Sequence, residues 1–244
     1  MIKISIIIPI LNEAETIKKL LEHLLQNSSK ENIAEIIVVD GGSTDGSLKI
    51  VSGRAQSRPI DLSTALEETA IVVLNSQKGR AKQMNTGSRI ATGNTLYFLH
   101  ADSFPPKDFD QNIINEVETG NFAGCFRLQF NHKHWWLRLV SWLTQFSWRA
   151  CRGGDQSQFI TKALFDEIGG FDESYIIYED NILINELYKR KQFKVINKKL
   201  ITSARRYEKY GIWKLQYHFW TIYVKKWFGA STDELYSYYK KNIN

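Results

Sequence analysis

The sequence predicts an α/β domain with a mostly parallel central sheet flanked by helices, and three observations carry that expectation. Four short apolar runs, "ISIIIPI" (4–10), "EIIVVD" (35–40), "AIVVLN" (70–75) and "TLYFLH" (95–100), are rich in β-branched residues and apolar on both faces, as strands covered on both sides are. The segments between them have helical character, so strand and helix alternate in βαβ fashion. The chain has 244 residues, 43% of them hydrophobic, enough to bury a real core.

In order along the chain, "LNEAETIKKLLEHLLQN" follows the first strand, with Ile17, Leu20, Leu21, Leu24 and Leu25 spaced as one helix face. "GGSTDGS" is a tight turn feeding a second helix, and "KGRAKQMNTGSRIAT" is helical after the third strand. Beyond the fourth strand the alternation weakens. "PPKDFDQNIINEVETG" reads as a helix starting after its prolines, "AGCFRLQF" (123–130) as a strand, "WWLRLVSWLTQF" (135–146) as an aromatic helix and "SQFI" as a short strand. "KALFDEIGGF" reads as a helix ended by Gly169–Gly170. "EDNILINELYKRK" is a helix with acids in its first turn, and "FKVI" and "LITS" are two short strands. The division expected is 1–102 as a first, strand-and-helix half, 103–206 as a second half of the same domain, and 207–244 as an aromatic and basic helical tail.

Composition removes several classes. Two distant cysteines, Cys125 and Cys151, make neither a disulfide framework nor a cysteine metal site. No run reaches about 18 uncharged apolar residues, the length of a membrane span. The N-terminus lacks the charged region and cleavage site of a signal peptide. The expected location is cytoplasmic, or peripheral at the inner face of the membrane. A net charge of +6 favours anionic partners without choosing among them.

Right-handed crossovers place the C-termini of parallel strands on one edge, where open sheets bind ligands. Pro9–Glu13, Asp40–Asp45, Lys78–Arg80 and His100–Ser103 should therefore converge. No P-loop or G-x-G-x-x-G pattern is present. The strand ends instead offer Asn12, Glu13, Asp40, Ser43 and Asp45. A carboxylate there can accept from a base imide or ribose hydroxyls, although Ser43 and Asp45 also suit helix capping. Lys78, Arg80 and Lys82 stand near a helix start, a phosphate-binding arrangement. His100 and Asp102 project from one side of an extended segment. A single carboxylate can hold Mg2+ or Mn2+ when phosphates complete the shell, so Asp102 is the metal candidate, with His100 as a second. In the other half, "RGGDQ" contributes Gly154, Asp155 and Gln156 on the acceptor side, and "YED" contributes Glu179 and Asp180. A base that takes a proton from an acceptor hydroxyl must be a carboxylate or histidine, and Asp180 is assigned that role ahead of Asp155.

Together and in order, "SIIIPILNEAETI", "IIVVDGGSTDGS", "KGRAKQMNTG", "LHADS" and "GGFDESYIIYEDNIL" resemble the family 2 glycosyltransferases of GT-A fold, a Rossmann-like architecture, over residues 3–190. "GRAKQMNTG", "HADS" and "RGGDQ" are most similar to a bacterial radical-SAM/selenodomain-associated subgroup, some members of which are linked to arsenosugar synthesis. The resemblance implies inverting transfer from a nucleotide-diphosphate sugar, with 1–102 as the nucleotide-sugar-binding half and 103–206 as the acceptor-side half. Pro9, Asn12 and Glu13 match the motif beside the nucleotide, with Glu13 and Asp40 near base and ribose. Lys78 and Arg80 fall in the diphosphate segment, Asp102 matches the last acid of the D-x-D metal motif, and Asp180 matches the basic acid of the "ED" pair. The chain departs from the pattern twice: Gly41 follows Asp40 where a second acid is common, and His100 replaces the first acid of D-x-D. The Q-x-x-R-W signature of processive synthases is also missing, the chain reading "ARRYEKYG" near 205, which implies one sugar per cycle.

In the tail, Trp213, Tyr217, Trp220, Val224 and Trp227 recur at helical spacing among lysines. Such a stripe suits a core or homodimer helix, or one lying on an anionic membrane, which would fit a lipid-linked acceptor. A sugar-phosphate nucleotidyltransferase is the nearest rival reading, but it should carry a glycine-rich basic loop where "LNEAE" stands. A nucleic-acid-binding module is more distant, because carboxylates gathered at the sheet edge repel a polyanion. No nucleic-acid partner is expected.

Overall fold

A computed structural model describes residues 1–56, 69–153 and 156–243. Its strands are β1 (Ile4–Ile10), β2 (Ile33–Asp40), β3 (Ala70–Asn75), β4 (Thr95–Phe98), β5 (Ser103–Phe104), β6 (Ala123–Phe130), β7 (Gln158–Thr161) and β8 (Lys194–Thr202). Its helices are α1 (Ile17–Asn27), α2 (Ser47–Gln56), α3 (Arg80–Ile90), α4 (Phe109–Glu118), α5 (Trp135–Leu143), α6 (Lys162–Ile168), α7 (Glu179–Lys189), α8 (Arg205–Tyr210), α9 (Ile212–Trp227) and α10 (Thr232–Asn242).

The strands form one sheet in the order β3-β2-β1-β4-β7-β6-β8-β5. The first four are parallel. β7 runs antiparallel to β4 and β6, β8 is parallel to β6, and β5 closes the far edge antiparallel to β8. The sheet separates two apolar layers. Ile4, Ile6, Ile8 and Ile10 face α1, α4 and the C-terminal helices, whereas Ile7, Ile37 and Val39 face α3, α6 and α7. Both layers are buried, which is why these strands are rich in Ile and Val on both faces.

Several boundaries differ from expectation. α1 starts at Ile17 because Asn12 takes a left-handed φ of 58° and residues 12–14 are tied to the neighbouring loop. Ile17, Leu20, Leu21 and Leu24 are fully buried, but Leu25 lies at the rim, 37% exposed. Burying four such side chains stabilises the domain by about 1.5–3 kcal/mol each. The two short strands expected at 193–203 are one strand, β8, with a register irregularity opposite Phe126–Arg127. The boundary expected at 206/207 falls inside α8, and Tyr207, Leu215, Ile222, Leu235 and Ile243 belong to the main core, so residues 207–243 pack on the sheet layer.

Two details fix the edge on which the loops gather. Ile7 O accepts from Leu99 N at 3.0 Å, and residues two apart face the same neighbour, so Pro9 faces past the end of β4 and its missing N–H leaves no ladder bond unmade. Gly87 lets α3 approach the sheet: a Cβ there would lie 2.6 Å from Ile7 Cγ2.

Candidate active site

The parallel strands end level with one another, Ile10 beside Asp40 and Asp40 beside Asn75. The chain order reverses between β1 and β4, so a crevice opens there at the strand C-termini. The loops after β1 and β2 flank it and are stitched together by polar side chains. Asn12 N donates to Ser43 Oγ at 2.9 Å, Thr44 N donates to Asn12 Oδ1 at 2.8 Å, Glu13 N donates to Ser47 Oγ at 2.8 Å, and Ala14 N donates to Asp45 Oδ2 at 2.9 Å. Asp40 is 3% exposed, and its carboxylate accepts from Gly42 N and Ser43 N at 3.0 Å and from the Ser43 hydroxyl. Asp40 and Ser43 thus hold their own loop. Asp45 accepts from the Ser47 hydroxyl and backbone as a helix-start residue, and these bonds hold its carboxyl below the usual range. Gln83, which the sequence reading did not single out, donates from Nε2 to Ile10 O and Val39 O, both at 2.8 Å. It pins α3 to the adjoining ends of β1 and β2. The one signal for it was a polar residue beside Ala81, Met84 and Gly87 on the sheet-facing side of α3.

The expectation that His100 and Asp102 project together from an extended segment is corrected. β4 ends at Phe98, and Ser103 N donates to His100 O at 3.1 Å, so the two residues stand in a turn that feeds β5. The polypeptide must leave its place beside β1 here, because Phe104 is already paired with β8 at the far edge of the sheet. Asp102 remains at the crevice rim with its side chain 22% exposed.

Glu13 and Asp102 stand on opposite sides of the crevice, and Arg205 spans them. Its guanidinium makes a two-pronged bond to Glu13, one arm at 2.8 Å, and its Nε lies 3.6 Å from Asp102 Oδ2. The Glu13 hydrogen bonds raise the Arg205 pKa further. No local spacing announces a partner 192 residues away. Arg205, Arg206, Lys209, Tyr210, Tyr239 and Ile243 line a cavity of about 310 Å3 alongside.

The second charged group joins the two halves. Arg80 Nε lies 2.7 Å from Glu179 Oε1, and its Nη2 lies 3.9 Å from Asp180 Oδ2. Glu179 is 0% exposed and Asp180 7%. A buried carboxylate is costly without a cation, and Arg80 supplies it. Tyr178 takes φ 75° just before α7, a strained value for a non-glycine residue, and this sets the direction in which α7 starts. Asn181 fastens that start: its Oδ1 accepts from Arg149 Nη2 at 3.0 Å and Tyr223 Oη at 3.4 Å. Burial raises the Tyr178 pKa.

Other expected positions distribute differently. Lys78 is exposed. Gln156 is 8% exposed and turned inward, donating to Cys151 O at 3.3 Å, so its amide faces the protein rather than the crevice. Gly154 and Asp155 lie outside the described residues. Among the described residues no group of three or more His, Cys, Asp or Glu is set to hold a metal ion. The carboxylate of Asp102 suits a hard cation such as Mg2+ or Mn2+, but it could hold one only if ligand oxygens completed the shell.

A parallel sheet opening at a reversal point, with its second half carrying an acidic helix start, defines an open α/β fold with a ligand crevice at its strand ends. Solved structures agree on that architecture. The Mannosyltransferase PcManGT from Pyrobaculum calidifontis, in complex with GDP-Man and Mn2+, superposes with a TM-score of 0.62 at 20% identity, covering 91% of this chain and 60% of that one. S. aureus TarS 1-349 gives 0.63 at 18%, covering 87% and 64%. The fold is therefore GT-A-like. The family model Glycosyl transferase family 2 matches residues 5–172, and the chain belongs to that family. Glycosyltransferase AglE of Haloferax volcanii is 34% identical over 114 residues, 47% of this chain and 35% of that protein. The Undecaprenyl-phosphate 4-deoxy-4-formamido-L-arabinose transferase of Proteus mirabilis is 28% identical over 140 residues, 56% and 40%. The chain spans less than half the length of these curated relatives.

Proposed function

We propose that this protein is an inverting glycosyltransferase that moves one sugar per cycle from a nucleotide-diphosphate sugar to an acceptor hydroxyl. The observation that carries the reading is the Arg80 bridge to Glu179 and Asp180, which puts a cation of the donor-side helix against a carboxylate pair of the other half. Family membership and the GT-A-like fold support the same class. The subgroup is the radical-SAM/selenodomain-associated one, on the wording of "GRAKQMNTG", "HADS" and "RGGDQ".

In this mechanism the nucleotide lies in the crevice between β1 and β4, over the loops held by Asn12, Asp40 and Ser43. Asp180 accepts the proton of the acceptor hydroxyl. The oxygen attacks the anomeric carbon as the bond to the diphosphate oxygen breaks, from the opposite face, which inverts the centre. Arg80 faces the departing charge and Arg205 lies at the crevice rim. Asp102 is the residue that would hold Mg2+ or Mn2+. The ion would neutralise the departing diphosphate. An acceptor carried on a lipid is the class to try first, since two relatives are named for undecaprenyl-phosphate and dolichyl substrates.

A thermal-shift panel of UDP-, GDP- and dTDP-sugars with and without Mn2+ tests this reading. At least one donor should raise the Tm, and Asp102→Ala should remove only the metal-dependent part of that rise. A panel in which no donor stabilises the protein would overturn the assignment.

A further inference from the structure

All seven tryptophans of this chain lie within residues 135–148 and 213–227. Six of them are between 49% and 83% exposed, and only Trp136 is more enclosed. On α9, Trp213, Tyr217, Trp220, Val224 and Trp227 fall within a stripe about 80° wide at 100° per residue. That stripe is the outward face, whereas Leu215, Phe219 and Ile222 pack on the core. The expectation of a core helix is thus met by the other side of α9 and corrected for the stripe. α5 exposes Trp135, Leu139 and Trp142. Ring contacts of Trp213 with Trp135 and Trp136, at 5.8 and 5.3 Å, join the two helices into one surface. Monomeric proteins rarely expose aromatic area on this scale without using it.

Charge identifies what covers it. Residues 135–151 and 212–227 carry five Lys or Arg (Arg138, Arg149, Lys214, Lys225 and Lys226) and no Asp or Glu. Two copies meeting through this face would bring like charges together. An anionic bilayer accepts both features at once: tryptophan settles at the headgroup level and lysines meet the lipid phosphates.

The same surface is fastened to the proposed base. Tyr223 of α9 packs on Tyr178 at 5.3 Å and donates to Asn181. Lys226 Nζ donates to Tyr175 Oη at 2.6 Å. Arg149, just beyond α5, reaches Asn181 from the other side. We propose that α5, the segment 144–151 and α9 form a docking face for an anionic bilayer, and that it presents Asp180 to an acceptor whose hydroxyl-bearing head lies at that interface. The acceptor half of the proposal rests on the function proposed above; the docking half does not.

Flotation of the full chain with phosphatidylcholine vesicles containing about 30% phosphatidylglycerol, without any nucleotide sugar, tests docking alone. The protein should co-float, its tryptophan emission should shift to the blue, and both effects should weaken in high salt and with pure phosphatidylcholine. Trp142→Glu/Trp227→Glu, at two exposed positions, should reduce partitioning roughly tenfold or more while its circular dichroism and thermal transition stay unchanged. Separate transfer assays on one acceptor head group, free and lipid-anchored in vesicles, report on the acceptor: the double variant should lose the advantage of the anchored form and keep turnover on the free form. Absence of flotation with anionic vesicles at low salt would overturn the docking face. So would a lipid-free dimer in sedimentation whose tryptophan emission is already blue-shifted. Equal turnover of free and anchored acceptor by the wild type would overturn the acceptor half only.

Discussion

The two flanks of the crevice are held by different forces. On the β1–β2 side, the loops are fixed by short bonds in which one partner is usually a backbone group: Asn12 with Ser43 and Thr44, Glu13 N with Ser47, Gln83 with two strand-end carbonyls, and the Asp40 and Asp45 carboxylates with backbone N–H groups. On the other side, long-range guanidinium–carboxylate pairs do the joining, Arg80 with Glu179 and Asp180, and Arg205 with Glu13 and Asp102. Bonds to fixed backbone groups specify a shape and leave little for an outside ion to displace. Charged pairs can exchange one anion for another, and a phosphate is a better match for a guanidinium than a single carboxylate. One flank is therefore a fixed floor, and the other is a set of cations that a charged ligand can redirect.

The largest test of this contrast is Asp180→Asn. Turnover should fall by about 10^2–10^4-fold, the range of general-base catalysis, while donor binding by thermal shift stays near wild type. Retained turnover would displace Asp180 as the base. Next, Arg80→Ala leaves Glu179 buried without its cation, and stability in urea should drop by about 1–3 kcal/mol, below the full cost of a buried pair because Arg80 is 37% exposed. Glu179→Gln in the same background should recover much of that loss, and additive losses would show the pair is not coupled. Burial raises the Cys125 thiol above its ordinary value, with Arg152 partly opposing. A raised pKa in the fold means the unfolded chain loses the proton first. Stability is therefore complete below about pH 8.5 and should decline above it at up to about 1.4 kcal/mol per unit. Cys125→Ser measured across pH 7–10 should flatten that decline. The smallest effect is Arg205→Ala. Its pairs are half exposed, so the stability change should stay under about 1 kcal/mol and shrink with salt, whereas the KM for donor should rise. A large stability loss with unchanged KM would make Arg205 a structural clamp.

The crevice edge was legible in the residues because each ingredient is local. Continuous Ile and Val runs specify buried parallel strands, and polar clusters at their ends then share one edge by handedness alone. The turn at His100–Ser103 was misread as extended strand, since nothing in "TLYFLH" shows that Ser103–Phe104 pairs with residues about 100 positions away. Arg205 escaped for the same reason. On α9 the apolar set is nearly continuous around the helix, so periodicity could not say which side faces the core. The packed structure shows that the tryptophan stripe is the outer one.

The sequence by itself determined the class of fold, the order of the first four strands' loops and the acidic start of α7, because those follow from strand burial, crossover handedness and helix-end chemistry over a few residues. Only the tertiary structure decided which carboxylates meet which guanidiniums, and that two aromatic helices merge into one exposed face. Those outcomes depend on contacts between segments tens to nearly two hundred residues apart, and no local propensity encodes them.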